Sequence, residues 1–335
     1  MKKTNRALAA AAAVAFTLCV PARAQSLTIT APGYSGYDLF GASPGYVVGG
    51  VATDGNRIWY IENDAVFGGN LPTKLWSRSF DGISAGPATL AHDFQTSLAG
   101  SFLTLQGGTL YFGENSQGGI YAINPTTFAV DPLGTVAGNY DATLFGGSAL
   151  LISHYSGTGN KISRFTLEPD GGSGFALSAP DVILDTGTEF SGPLEPVSSV
   201  MVYGSASTGL YRYFLTEIAG AIGPTQLSLD ANHRLFNNGA NSYLAPAGGN
   251  FVWRDSFASN ELQRIDSTSG SVSVIGTSNA TLGNLDAAGS TLIAVATQYG
   301  ATTTSHVFAV VPEPCTTGTA LVALAILALR RRREG

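Results

Sequence analysis

The sequence predicts an all-β chain: a six-bladed β-propeller closed by its N-terminal strand, with an N-terminal signal peptide and a short C-terminal transmembrane helix. Three observations carry this. Six segments of the body repeat one pattern of turn, apolar strand, polar break and second strand. No stretch of the body has helical periodicity, whereas Gly and Pro turns are frequent. The two ends carry apolar runs beside basic clusters, unlike anything between them.

The N-terminal end reads as an export signal. Lys2, Lys3 and Arg6 precede the apolar run Ala7–Val20, and Ala22-Arg23-Ala24 supplies the small-x-small cleavage pattern. The expected cut falls between Ala24 and Gln25. The chain therefore divides into a signal peptide (1–24), a repeat body (25–311) and a tail (312–335). Cys19 and Cys315 are the two cysteines, one in each end segment. The body thus enters an export route without disulfides, thiol chemistry or Cys metal ligation, and its core must hold it alone. It has nine Lys and Arg against 21 Asp and Glu, a net charge of −12. A nucleic-acid surface needs a basic stripe, which this composition excludes. Charged residues make up only 12% of the chain, about half the usual share. Gly, Ser, Thr and Asn must cover the rest of the surface.

The repeat units align on Ile58, Leu110, Leu150, Val200, Phe251 and Leu292, at intervals of 52, 40, 50, 51 and 41 residues. Further strands fit between, such as "SFLTLQ" and "AVDPLGTV". Four strands per ~40–50 residues is the period of a propeller blade. The last unit lacks a fourth strand after "SHVFAVV", and "SLTITAP" has no unit of its own. An open ring would expose two sheet edges, so Leu27–Thr30 is expected to complete the last blade. No propeller family is named by these residues.

Four residues past the anchors stand Glu62, Glu114, His154, Gly204, Asp255 and Ala296. In a propeller these positions share one face. Glu62, Glu114, His154 and Asp255 are therefore candidates for a metal site or an acid–base pair, against the simpler reading that polar residues end strands at water. No nucleophile elbow, zincin helix, EF-hand or Walker loop is present. Neither catalytic residues nor a cofactor are expected. Trp59, Trp76 and Trp253 suit packing between blades better than stacking on sugars.

The tail has three parts. Pro312, Glu313 and Pro314 form a stiff, charged tripeptide. Cys315–Leu329 is an uncharged run of 15 residues, about 22 Å long as a helix. That is short for a bilayer core of ~30 Å, though flanking arginines can snorkel. Arg330, Arg331, Arg332 and Arg333 would hold the C-terminus in the cytoplasm. "VPEP", an apolar run and "RRRR", at the end of a chain with a signal peptide, resemble the PEP-CTERM sorting signal. The match covers about 25 of the 335 residues. The resemblance implies a Gram-negative source, transient membrane insertion, cleavage near Pro312–Pro314 by an exosortase, and delivery to the cell surface or extracellular polymer. Signal peptidase and exosortase are then the processing partners, and extracellular polysaccharide is a candidate ligand. Three functions remain open: a non-catalytic structural or binding body, a metal-dependent propeller hydrolase or lactonase, and a carbohydrate-binding module.

Overall fold

The computed structural model describes residues 25–313, apart from 67, 158, 173, 188–191, 206–207, 222, 224–226, 238–240, 257–258 and 301. The signal segment 1–24 and the tail from 314 onward, with Pro314 and Arg330–Arg333, lie outside the described residues. Among the described residues no helix is long and apolar enough to cross a membrane.

The chain enters through β1 (Leu27–Ile29) and β2 (Tyr34–Gly41), and then builds six antiparallel sheets. Blade one is β3 (Tyr46–Thr53), β4 (Arg57–Asp64), β5 (Lys74–Ser79) and β6 (Thr89–Asp93). Blade two is β7 (Gly100–Gln106), β8 (Thr109–Glu114), β9 (Gly119–Ile123) and β10 (Val130–Thr135). Blade three is β11 (Asn139–Phe145), β12 (Ala149–Tyr155) and the long β13 (Asn160–Pro169), with β14 (Phe175–Leu177) and β15 (Asp181–Gly187) both pairing to β13. Blade four is β16 (Leu194–Val197), β17 (Val200–Ser205), β18 (Gly209–Phe214) and β19 (Arg234–Phe236). Blade five is β20 (Asn241–Pro246), β21 (Phe251–Ser256), β22 (Glu261–Asp266) and β23 (Val272–Ser278). Blade six is β24 (Thr281–Ala288), β25 (Thr291–Gln298) and β26 (Thr304–Pro312), completed by β2.

The six anchors fall on the second strand of each blade, and "SFLTLQ" and "AVDPLGTV" are the first and last strands of blade two. The second strands read as unbroken apolar runs because both their faces are buried. In β4, Ile58 and Tyr60 face blade six, while Trp59 and Ile61 face blade two. Each neighbouring pair of blades shares a core of this kind. Phe102 and Leu133 meet Leu150 and Phe165 between blades two and three. Ile183 and Leu184 meet Tyr211 and Tyr213 between three and four. Val202 and Leu210 meet Val252 and Ile265 between four and five. Trp253 and Leu262 meet Leu292 and Phe308 between five and six.

Closure differs from the expectation in one respect. Leu27–Thr30 does not complete the last blade. β1 pairs antiparallel with β23 as a fifth strand of blade five, in the register Leu27↔Ser278 to Ile29↔Gly276. The closing strand is β2, which pairs with β26 from Tyr34↔Pro312 to Gly41↔His306. Length decides this: eight residues span the outer edge of blade six, whereas three cannot. Leu27 and Ile29 instead fill the edge of the core between blades five and six. The sequence also gives no helix, yet a six-residue α1 (Leu215–Gly220) follows β18. It is too short to show periodicity, and it is held by burial of Ile218 in the core between blades three and four.

Candidate functional site at the channel mouth

The four ring residues end the second strands of their blades, but they do not lie at water. Glu62, Glu114, His154 and Asp255 are 1%, 0%, 6% and 0% exposed. Each is occupied with local structure. Glu62 Oε1 accepts the Ser43 N–H at 2.6 Å, and its Oε2 is buried without a partner among the described residues. Glu114 accepts the N–H groups of Gln117 and Gly119 and the Ser116 hydroxyl, which organises the turn into β9. His154 Nε2 lies 2.8 Å from Ser163 Oγ. Burial, with Lys161 nearby, pushes its pKa down to about 4, so the ring is neutral. Asp255 Oδ1 accepts the Tyr243 N–H at 2.6 Å. The three carboxylates therefore cap turns and strand starts from inside, where an unpaired N–H would be costly. They stand on separate blades. Among the described residues, no three His, Cys, Asp or Glu side chains are grouped so as to hold a metal ion.

The first strands β3, β7, β11, β16, β20 and β24 line the central channel. Asp141, Glu195 and Asp286 border its cavity, which leaves only about 20 Å³ of free space. That is room for about one water. Two of these carboxylates join neighbouring blades. Asp141 accepts the Ala142 and Leu194 N–H groups, both at 2.8 Å, and Asp286 accepts the Thr53 N–H at 2.6 Å. Gln106 does the same between blades two and three through the Leu144 N–H. No hydrogen bond reaches the Glu195 carboxylate among the described residues. Enclosure by protein pushes Asp141 and Asp286 up to about 7, and raises Glu195 well above the carboxylate range, with its two acidic neighbours adding to the effect. No Lys, Arg or His lines the cavity.

Above the channel lies a second cavity of about 240 Å³, which shares Tyr243 and Asn284 with it. Bulges build this mouth. The ladder register slips in β3, β7, β11, β20 and β24, near the same end of each strand. A bulge adds an unpaired residue and re-aims its side chain. On blades three, five and six the slips fall at Tyr140, at residues 242–243 and at Asn284, and Tyr140, Tyr243 and Asn284 all line the cavity. On blades one and two they fall at Gly49 and Ser101, which are too small to close it. The rings of Tyr140 and Tyr243 stack at 5.9 Å between centroids and 21° between planes. Tyr299, 69% exposed, stands at the rim. Burial raises the Tyr140 and Tyr243 hydroxyls far above the usual phenol range, and the carboxylates of Asp255 and Asp141 act in the same direction.

None of these mouth residues is among the sequence candidates. A bulge has no mark in a sequence, and tyrosines on a strand read as core. The tryptophans behave as packing residues. Trp59 and Trp253 are buried between blades, and Trp253 meets Tyr34 of the closing strand edge-on at 5.7 Å.

Sheet order, six shared cores and a central channel define the chain as a six-bladed β-propeller. No protein-family model matches the chain, and no curated protein matches it in sequence. Solved structures do resemble it. An inactive variant of virginiamycin B lyase from Staphylococcus aureus, bound to quinupristin, has a TM-score of 0.55 at 12% identity, covering 83% of this chain and 99% of that one. The WD40 repeats of RRP9 match at 0.52 and 10% identity, covering 86% and 100%. A luciferin-regenerating enzyme matches at 0.51 and 12% identity, covering 83% and 95%. At such identities the likeness establishes the fold, which enzymes and binding proteins share.

Proposed function

We propose that this protein is exported and sorted by an exosortase to the cell surface or extracellular polymer, where its propeller binds or supports and does not catalyse. One observation carries the non-catalytic reading. The channel carboxylates, whose pKa values are raised, face about 20 Å³ of free space, too little for an organic substrate. The capping roles of Glu62, Glu114 and Asp255 support it too, because acceptors engaged with backbone N–H groups are poorly placed to ligate a metal or move protons. Ester and lactone hydrolysis by the purified full chain tests the reading. The variants Glu62→Gln, Glu114→Gln, His154→Gln and Asp255→Asn are assayed beside it. No turnover in the wild type is expected. Turnover that disappears in any folded variant overturns the proposal in favour of a propeller hydrolase.

The sorting reading gains support at both ends of the body. Gln25, the residue expected to follow the signal cut, is 7% exposed, and its amide donates to the Thr304 carbonyl at 2.7 Å. A cut before Gln25 keeps this contact. At the other end Pro312 still pairs with Tyr34, and the Glu313 N–H bonds the Gly33 carbonyl at 2.8 Å. The first two residues of the sorting motif are therefore held against the closing strand and the turn before it.

A further inference from the structure

The mouth cavity combines features that the reading above does not use. Tyrosines from three blades line it: Tyr140 on β11, Tyr243 on β20 and Tyr299 after β25. Its floor opens on a channel holding Asp141, Glu195 and Asp286. No Lys, Arg or His lines either cavity. Asp255, bonded to the Tyr243 N–H, adds a fourth carboxylate close to the rings, with Arg254 beside it on β21.

We propose that this mouth binds an organic ammonium ion, held against the tyrosine rings over a carboxylate-lined channel. Three arguments select that chemistry. The face of an aromatic ring carries negative potential and attracts a cation within about 6 Å of its centre. The carboxylates below add a field that no basic side chain of either lining cancels, and low-dielectric walls focus such a field at the opening. The channel itself has room only for about one water, so a bulky cation stops at the mouth, where the cavity is about 240 Å³. An anion is repelled by the carboxylates of the channel below. A neutral sugar can stack on the tyrosines, but gains nothing from the charge below. The proposal rests on the body being a binder and names the class of its ligand.

Choline is the probe. Its carbon isostere 3,3-dimethyl-1-butanol has the same shape without the charge, and glucose serves as the neutral sugar. Calorimetric titration of the full chain at pH 8 is expected to show binding of choline and none of the isostere. Tyr299→Ala, an exposed position that leaves the core intact, should weaken choline by about fivefold, the scale of one cation–π contact. Choline binding by the wild type should weaken from pH 8 to pH 5, as Asp141 and Asp286 below the mouth take up protons. Absence of choline binding at millimolar concentration overturns the proposal, as does equal binding of the isostere. Glucose binding that Tyr299→Ala weakens, with no choline binding, replaces it with a sugar site and leaves the non-catalytic reading standing. Hydrolytic turnover would sink that reading alone.

Discussion

Glu195 shows how a side chain can oppose the fold that holds it. Its carboxyl is raised above the usual range because ionisation inside the channel is poorly compensated. A carboxylate raised on folding adds no penalty below the unfolded value of ~4 and a growing one as pH rises above it. For Asp141 and Asp286 that penalty is complete above about 7. Glu195→Gln is therefore expected to raise the melting temperature at pH 8 and to leave it unchanged at pH 4. Thermal melts of both proteins across that range check this, and an equal shift at both ends contradicts it. Glu114 behaves oppositely. Its carboxylate holds the turn N–H groups of Gln117 and Gly119, so Glu114→Ala should cost roughly 1–3 kcal/mol. Residue by residue, the sequence showed where the blades place polar groups, because Glu62, Glu114, His154 and Asp255 align by position. It did not show their burial. It also could not show Tyr140 and Tyr243, whose aim depends on bulges that leave no sequence pattern.

At the scale of elements, second strands were legible because a run such as "RIWYIEN" is apolar on both faces. The outer strands were harder. β1 and β2 both lie on blade edges, and each presents one face to packing. The alternation in "SLTITAP" marked β1 as a strand but could not say which blade it joins. That choice follows from strand length and from the core that receives Leu27 and Ile29. Deleting residues 27–29 should therefore leave a folded ring with a lowered melting temperature. Deleting Tyr34–Gly41 should remove a whole ladder and abolish cooperative unfolding. Denaturant titrations of the two deletions separate these outcomes, and equal losses contradict the assignment. Trp253 lies between blades five and six against Tyr34. Trp253→Ala should cost about 3–5 kcal/mol by equilibrium unfolding, as for other large buried aromatics.

For the whole molecule, the ring has no disulfide and relies on six inter-blade cores. Its closing pair joins residues 34–41 to residues 306–312. Such distant partners make this ladder a late step in folding, because the loop it closes is nearly the whole body. The ladder also bears on the tail. Mass spectrometry of protein from the native cell is expected to find a mature C-terminus near residues 311–315. An intact peptide ending in Arg-Glu-Gly in surface material contradicts sorting by cleavage.

The pairing of β26 has a mechanical consequence. β26 is not an edge strand: β25 lies on one side and β2 on the other. A tether beyond Glu313 therefore pulls on a strand gripped along both flanks. Tension on the C-terminus loads two ladders in shear, so many hydrogen bonds must yield together. Had the chain left through an outer strand, the same tension would peel the ring open from its rim. Single-molecule pulling at the C-terminus should accordingly show a high rupture force. That force should fall sharply when Tyr34–Gly41 is deleted, and little when Leu27–Ile29 is.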